Sequence, residues 1–251
     1  MGIVFQANKG LIRDYIEETV KFPDALIEPG KPAAEVKLAP MSSEEVKRLL
    51  LKLDMISWEK VNPSVAAMVA EEASSIITAV RMVKTETKAE FMGMLGSGAN
   101  LDITWLRPKH VGGPLLNAPG ATGKGLYGGT SGGVLTWTHT FTGGTAEDII
   151  PEQVMAEEAA VVHLGFIDTV SAPKVEAVQF KIAGIPTPAQ PLAFNLRASI
   201  GTETLPLARF EKPVIIGPEK KQQVTVFPNI SGDSSLQLLT LLVAKAESLS
   251  L

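Results

Sequence analysis

The sequence predicts a mainly β protein, an antiparallel β-sandwich preceded by an α-helical N-terminal region. Three observations predict it. Apolar residues recur at helical spacing up to about residue 88, they alternate with polar residues from about residue 90, and Gly and Pro separate the short alternating runs. Strands and helices do not alternate along the chain, which disfavours a parallel sheet with crossover helices. We therefore expect a helical region over residues 1–88 and a β-sandwich domain over residues 89–251.

The first helix is predicted over residues 9–21, with charged residues on one side and an apolar face on the other. This apolar face contains Leu11, Ile12, Tyr15 and Ile16. Phe22-Pro23 ends the helix, and a proline-containing connector follows as far as Pro40. An amphipathic helix on a long tether is typical of an arm that docks on another subunit, so we expect inter-subunit contacts from its apolar face. The alternative is that the helix folds back on its own domain.

Two further helices are predicted before residue 90. Ser42 and Glu45, three residues apart, form a capping box that starts one of them. Asn62-Pro63 combines an N-cap residue with proline at the first helical position, and it starts the other. The apolar stripe of this last helix continues to Val83, which predicts about six turns.

The β alternation is clearest in two runs. In one, Leu101, Ile103 and Trp105 alternate with polar residues, and in the other, residues 135–141, apolar and aromatic residues alternate with threonines. The segment 107–133 between them is rich in glycine and predicts a long surface loop. Further strands are predicted over residues 159–168, 174–183, 191–200, 212–216, 222–227 and 235–247.

Composition excludes several classes of function. The 251 residues carry a net charge of −4 and no cluster of basic residues, so we expect no direct binding of nucleic acid. The chain contains no cysteine, which excludes disulfides and thiolate chemistry. The first residues lack the features of a secretory signal, and no window is apolar enough to span a membrane. The amphipathic helix 9–21 remains suited to contact with a membrane surface.

Two motifs are similar to enzyme signatures, but neither has the required context. Gly129–Gly133 matches G-x-S-x-G around Ser131, and Asp148 and His163 follow in the order of a catalytic triad. A glycine-rich loop precedes this serine and a threonine-rich strand follows it, whereas a nucleophile elbow joins a strand to a helix. Gly123-Lys124 lacks the first glycine and the hydroxyl residue of a phosphate-binding loop. We therefore expect no catalytic residue and no cofactor.

The histidines and aromatic residues give one candidate for ligand binding. His110, His139 and His163 are not spaced as metal ligands, so we expect structural roles for them and no metal site. Tyr127 lies within the glycine-rich segment 107–133. An aromatic side chain on a surface loop is suited to stacking on a ligand, which makes Tyr127 the candidate residue of a ligand-binding loop.

The layout resembles that of jelly-roll virion proteins, in which a helical N-terminal arm precedes about eight strands. The C-terminal strands carry the resemblance: Phe210–Ile216 leads into Gln222–Phe227, and the turn at Ser231-Gly232-Asp233 leads into the apolar Leu236–Ala244. The resemblance covers residues 90–251 and includes no diagnostic motif. The N-terminal arm differs from the basic arms of many coat proteins, because it is not basic.

This resemblance implies a structural, self-assembling protein of the capsid or coat type, located in the virion. Its partners would be copies of itself and other structural proteins. Two alternatives remain: a carbohydrate- or receptor-binding β-sandwich module that uses Tyr127, and a hydrolase on a sandwich scaffold. If the chain is not a coat protein, the absence of a secretory signal predicts a cytoplasmic location.

Overall fold

A computed structural model describes residues 38–60, 63–93, 98–107, 110–111, 116–117, 137–168, 174–182, 185–186, 190–191 and 207–249. This part of the chain begins with helices and continues as antiparallel strands, which confirms the predicted order. The helix 9–21, most of the loop 107–133 and most of the strand predicted over residues 191–200 lie outside the described residues.

The described helices are α1 (Ser43–Ser57), α2 (Pro63–Glu71), α3 (Ala73–Thr87) and the short α4 (Ala246–Leu249). A 3-10 turn, Trp58–Lys60, follows α1. The predicted capping box is confirmed: the Ser42 hydroxyl accepts a hydrogen bond from the Glu45 N–H at 3.2 Å, and the Glu45 carboxylate accepts one from the Ser42 N–H at 2.8 Å. Each bond satisfies an N–H group that the first turn would otherwise leave unpaired.

The prediction of one continuous helix from Pro63 to Val83 is wrong, because Glu72 separates α2 from α3. Glu72 has φ −95° and ψ 15°, outside the helical range. Hydrogen bonds still cross the interruption, from the Glu72 N–H to the Met68 carbonyl and from the Ile76 N–H to the Glu72 carbonyl. The apolar stripe therefore stays in phase, and periodicity alone shows no break.

The described residues contain eleven strands, and all of their mutual pairings are antiparallel. They are β1 (Leu101–Trp105), β2 (Leu116–Asn117), β3 (Trp137–Phe141), β4 (Glu147–Met155), β5 (Ala160–Asp168), β6 (Val175–Ile182), β7 (Ile185–Pro186), β8 (Gln190–Pro191), β9 (Leu207–Ile216), β10 (Lys221–Pro228) and β11 (Gly232–Lys245).

The strands form two sheets. The first has the order β1-β11-β5-β9, and β3 also pairs with β11. The second has the order β2-β4-β10-β6-β7, and β8 also pairs with β6. In the first sheet, β1 and β3 share the long strand β11, since Leu101 lies opposite Lys245 and Trp137 lies opposite Leu236.

The pairings are nested along the chain. β3 pairs with β11, β4 with β10, β5 with β9, and β6 with β7 and β8. Successive strands from β3 to β6 belong to alternate sheets, and so do β9, β10 and β11. The chain from β3 onward therefore forms one antiparallel ribbon whose paired strands are distributed between two sheets.

Buried side chains form two hydrophobic clusters on opposite faces of the first sheet. One cluster contains residues of both sheets, among them Phe166 of β5, Phe210 of β9 and Phe180 of β6. The other joins α1, α2 and α3 to the first sheet and includes Leu49 and Trp105. The first sheet is buried on both faces, which explains why β11 is a nearly continuous apolar run.

The predicted strands at residues 159–168, 174–183, 222–227 and 235–247 are confirmed, and the strand predicted at 212–216 extends back to Leu207. β4 was not predicted, because Pro151 and two adjacent isoleucines interrupt its alternation. Ile150 lies opposite Val224 and Gln153 lies opposite Gln222. Two residues of β4 therefore face a single residue of β10 between these two pairs, which makes a β-bulge in β4. Pro151 occupies this bulge, one of the few places where a sheet accepts proline.

Glu45 ties the start of α1 to the rest of the helical layer. Its side chain is 5% exposed, and its carboxylate accepts hydrogen bonds from Lys84 at 2.7 Å and from the Phe91 N–H at 3.0 Å. Burial acts to raise the pKa of Glu45, but the bonds from Lys84, Ser42 and Phe91 outweigh burial and hold the pKa below its usual value.

We expect Glu45→Ala to lower the free energy of unfolding by roughly 3 kcal/mol, because it removes the cap and leaves the Lys84 ammonium without its buried partner. Urea unfolding near neutral pH measures the change. The matched control is Glu44→Ala in the same helical turn. Glu44 forms only an exposed pair with Arg48, so a loss below about 0.5 kcal/mol is expected. Equal losses in the two variants would contradict the role of Glu45.

Candidate interaction surface

Three exposed apolar side chains form a stripe on α1 and the turn that follows it. Leu51 is 69% exposed, Met55 42% and Trp58 52%. They account for three of the four large hydrophobic side chains exposed among the described residues; the fourth is Ile230. Their spacing of four and three positions places them on one side of a helix. We call Leu51, Met55 and Trp58 the α1 stripe.

The α1 stripe faces away from the protein core. Leu49, Leu53 and Ile56 of the same helix are buried in the cluster against the first sheet. Each residue of an α-helix is rotated by about 100° from the one before it, so Leu51 lies nearly opposite Leu49 and Leu53. A helix on a protein surface needs one apolar face, and α1 has two.

Contacts from β1 hold the helix that carries the α1 stripe. The Trp105 indole N–H donates a hydrogen bond to the Ile56 carbonyl in the last turn of α1 at 2.8 Å. Lys52 forms an ion pair with Asp102 at 3.2 Å. The α1 stripe is therefore presented by a helix fixed to the first sheet, and no rearrangement is needed to expose it.

Basic residues lie beside one end of the α1 stripe. Lys47 and Arg48 precede Leu51 by four and three positions, so all three share one side of α1. Lys47 is exposed and Arg48 is half-buried, with Glu44 3.5 Å from the Arg48 guanidinium. A partner with an apolar face and carboxylates at one end would match this arrangement.

A second notable group of polar residues lies inside the protein, between the sheets. His163 of β5 is 1% exposed, and its Nδ1 lies 2.8 Å from the Thr240 hydroxyl of β11. Its Nε2 lies 3.0 Å from the Gln222 side-chain carbonyl of β10, in the other sheet. Because that carbonyl can only accept, Nε2 carries the proton and Nδ1 accepts from Thr240.

The three bonded residues occur at irregularities of three separate strand pairings. The register shifts beside His163 in β5–β9, beside Thr240 in β11–β5 and beside Gln222 in β10–β4. Bulges change the direction of side chains, and these bring polar groups of both sheets together. The Phe180 ring lies 4.8 Å from the imidazole, centroid to centroid, so the surroundings are apolar.

Burial lowers the pKa of His163 to about 4, although the hydrogen bond with Gln222 acts in the opposite direction. The histidine is therefore neutral near pH 7. Gln153, opposite Gln222 in the β4–β10 ladder, is fully buried, and none of the described residues forms a hydrogen bond with its amide.

The structure separates the residues that the sequence placed in a triad order. Both ring nitrogens of His163 are engaged by Thr240 and Gln222, and the Asp148 carboxylate accepts bonds from Gln223 and Thr225 at 2.6 Å each. Asp148 and His163 are therefore not paired with each other. Ser131 lies outside the described residues.

The other predicted residues divide into two groups. His110 is buried, and its Nδ1 accepts a hydrogen bond from the Arg107 N–H at 3.0 Å, which closes a local turn. The side chains of Leu11, Ile12, Tyr15, Ile16, Tyr127 and His139 lie outside the part that the structure describes. The described residues include no group of three or more side chains placed to hold a metal ion.

The sequence contained a signal for the α1 stripe that the prediction did not use. Leu49, Leu50 and Leu51 are consecutive, and three adjacent leucines cannot all lie on one face of a helix. None of the described helices has the length and apolar content that crossing a membrane requires.

Comparison with known proteins identifies no family. No family model matches the chain, and no curated protein matches it. A solved structure, dimeric latent PorU from Porphyromonas gingivalis, is similar with a TM-score of 0.24 and 16% sequence identity. The similarity covers 57% of this chain and 12% of the PorU chain, and at this level it supports no argument about fold or function.

We expect Gln153→Met to leave stability unchanged or to raise the free energy of unfolding by about 1 kcal/mol, because it removes a buried amide without a partner at similar volume. The matched change Gln222→Met should lower the free energy of unfolding by roughly 1–3 kcal/mol, because the His163 ring loses its hydrogen-bond acceptor. Urea unfolding of the two variants measures both. A greater loss for Gln153→Met than for Gln222→Met would contradict the hydrogen bonds described here.

Stability should fall as the pH decreases from about 6.5 to about 4. In this range the unfolded chain protonates His163 and the folded protein does not, so the unfolded state binds more protons and each step down in pH favours it. The loss in the free energy of unfolding that this histidine causes reaches roughly 3 kcal/mol below pH 4. Carboxylates also titrate at acidic pH, so the comparison is between wild type and His163→Gln in urea unfolding at several pH values. Identical pH dependence in the two proteins would refute the effect.

Proposed function

We propose that this chain is a structural, self-assembling protein built on a jelly-roll sandwich. The nested order of its strand pairs is the observation that carries the proposal. A jelly roll is an antiparallel ribbon wrapped into two facing sheets, and nested pairs spread over two sheets are what such wrapping produces. One hydrophobic cluster contains residues of both sheets, which supports a face-to-face arrangement.

Assembly is favoured over a solitary binding module by the α1 stripe. Apolar side chains grouped on a fixed helix are typical of surfaces that contact another protein. The stripe lies on the helical layer, away from the two-sheet core, so it can be covered without disturbing that core. A jelly roll alone does not decide function, because capsid proteins, lectins and cupins share it.

The particular role that we propose is that of a virion subunit, a capsid or coat protein whose partners are its own copies and other structural proteins. An arm with an amphipathic helix before a two-sheet domain suits this role, since such arms connect neighbouring subunits. The net charge of −4 implies that contacts with proteins, not with packaged nucleic acid, dominate its interactions.

We expect the purified full-length chain to form a defined assembly at micromolar concentration, visible as particles, rings or sheets by negative-stain microscopy. Sedimentation velocity should show the same large species in high salt, because apolar contacts are not screened. A monomer that remains stable over the whole accessible concentration range would contradict the proposal.

A further inference from the structure

We propose that the α1 stripe is the docking surface for the apolar face of the segment 9–21, predicted to be helical, of a second copy of this chain. The proposal rests on the assembly function proposed above and deepens it, because it names the surface that receives the arm. Three lines of evidence identify this occupant: where the described chain begins, how long the preceding segment is, and how its residues match the α1 stripe.

The first described residues of the chain are bonded to the helical layer. The Arg81 guanidinium donates to the Ala39 carbonyl at 3.1 Å and to the Leu38 carbonyl at 3.4 Å, and the Ala39 N–H donates to the Thr85 hydroxyl at 2.8 Å. Arg81 and Thr85 belong to α3, which packs beside α1 against the first sheet. Residues 1–37 therefore start from the layer that carries the α1 stripe.

The length of the connector allows the arm to reach a neighbouring copy. Residues 22–37 join the predicted helix to the first described residue, and in an extended form they span roughly 50 Å. Leu51 lies only about 12 Å along α1 from the first residue of that helix, Ser43. The prolines at positions 23, 29 and 32 favour extended conformations and work against a tight return over the same copy.

The residues of the arm complement those of the α1 stripe. The apolar face predicted for helix 9–21 covers about two turns, as does the α1 stripe. When the two apolar faces are centred on each other, either orientation of the helices places Ile12 within about one turn of Met55.

Engineered cysteines provide the test, because the natural chain contains none. Full-length Ile12→Cys and Met55→Cys chains, one of them labelled with ¹⁵N, are mixed and mildly oxidised. Mass spectrometry should find a disulfide between position 12 of one isotope and position 55 of the other. The control mixes Ile12→Cys with Ile230→Cys, since Ile230 is 52% exposed but lies outside the α1 stripe. We expect the reaction at position 55 to be at least ~10-fold faster.

Equal rates at positions 55 and 230 would overturn the proposal. So would a disulfide that forms only within the double variant Ile12→Cys/Met55→Cys, since the arm would then cover its own copy. Sedimentation of the same samples separates this failure from that of the proposed function. Assembly without the inter-copy disulfide rejects only the docking surface. A disulfide between copies without larger assembly supports the docking surface and rejects the coat role.

A second variant tests the apolar contact without relying on cross-linking. Leu51→Ser/Trp58→Ser should raise the concentration needed for assembly at least ~10-fold, because both apolar anchors are lost. Its thermal midpoint, measured below the concentration at which either chain assembles, should remain close to that of the wild-type chain, because both side chains are largely exposed. Assembly at the wild-type concentration with an unchanged midpoint would count against the docking surface.

Discussion

The hydrogen bonds of His163 are the interaction on which the two-sheet arrangement depends. They join β5 to β11 within one sheet and to β10 in the other, next to the apolar cluster that contains residues of both sheets. A strand that slipped by one residue would turn its polar side chain to the opposite face and leave its partners buried and unpaired. Apolar residues tolerate alternative packing more readily, so we infer that this network selects the register in which these strands pair.

The helical layer packs where it does because this register makes the second face of the first sheet apolar. Once the first sheet is paired, its second face is apolar and must be covered, and α1, α2 and α3 cover it. Arg209 of β9 reinforces this packing by pairing with Glu71 and Glu72, the two carboxylates at the junction of α2 and α3. The helical layer in turn exposes the α1 stripe, so the proposed assembly surface is a consequence of how the first sheet is buried.

The sequence predicted elements whose signals are local. The capping box at Ser42 and the alternation of β1 depend on a few neighbouring residues, and both were confirmed. β4 was missed because Pro151 needs a bulge that only pairing with β10 creates. The partners of His163 come from strands 59 and 77 residues further along the chain, so no local pattern could reveal them. The α1 stripe could be predicted from the sequence, because three consecutive leucines cannot all lie on one face of a helix and therefore require a second apolar face.

The most direct test of this account is an NMR titration of the His163 imidazole in the full-length protein. The buried hydrogen bonds of His163 predict a neutral ring with the proton on Nε2, through-space contacts to the Gln222 side chain, and protonation only as the pH approaches 4. An imidazole that titrates near its ordinary pKa of about 6.5, without contacts to Gln222, would contradict the hydrogen bond that joins the two sheets.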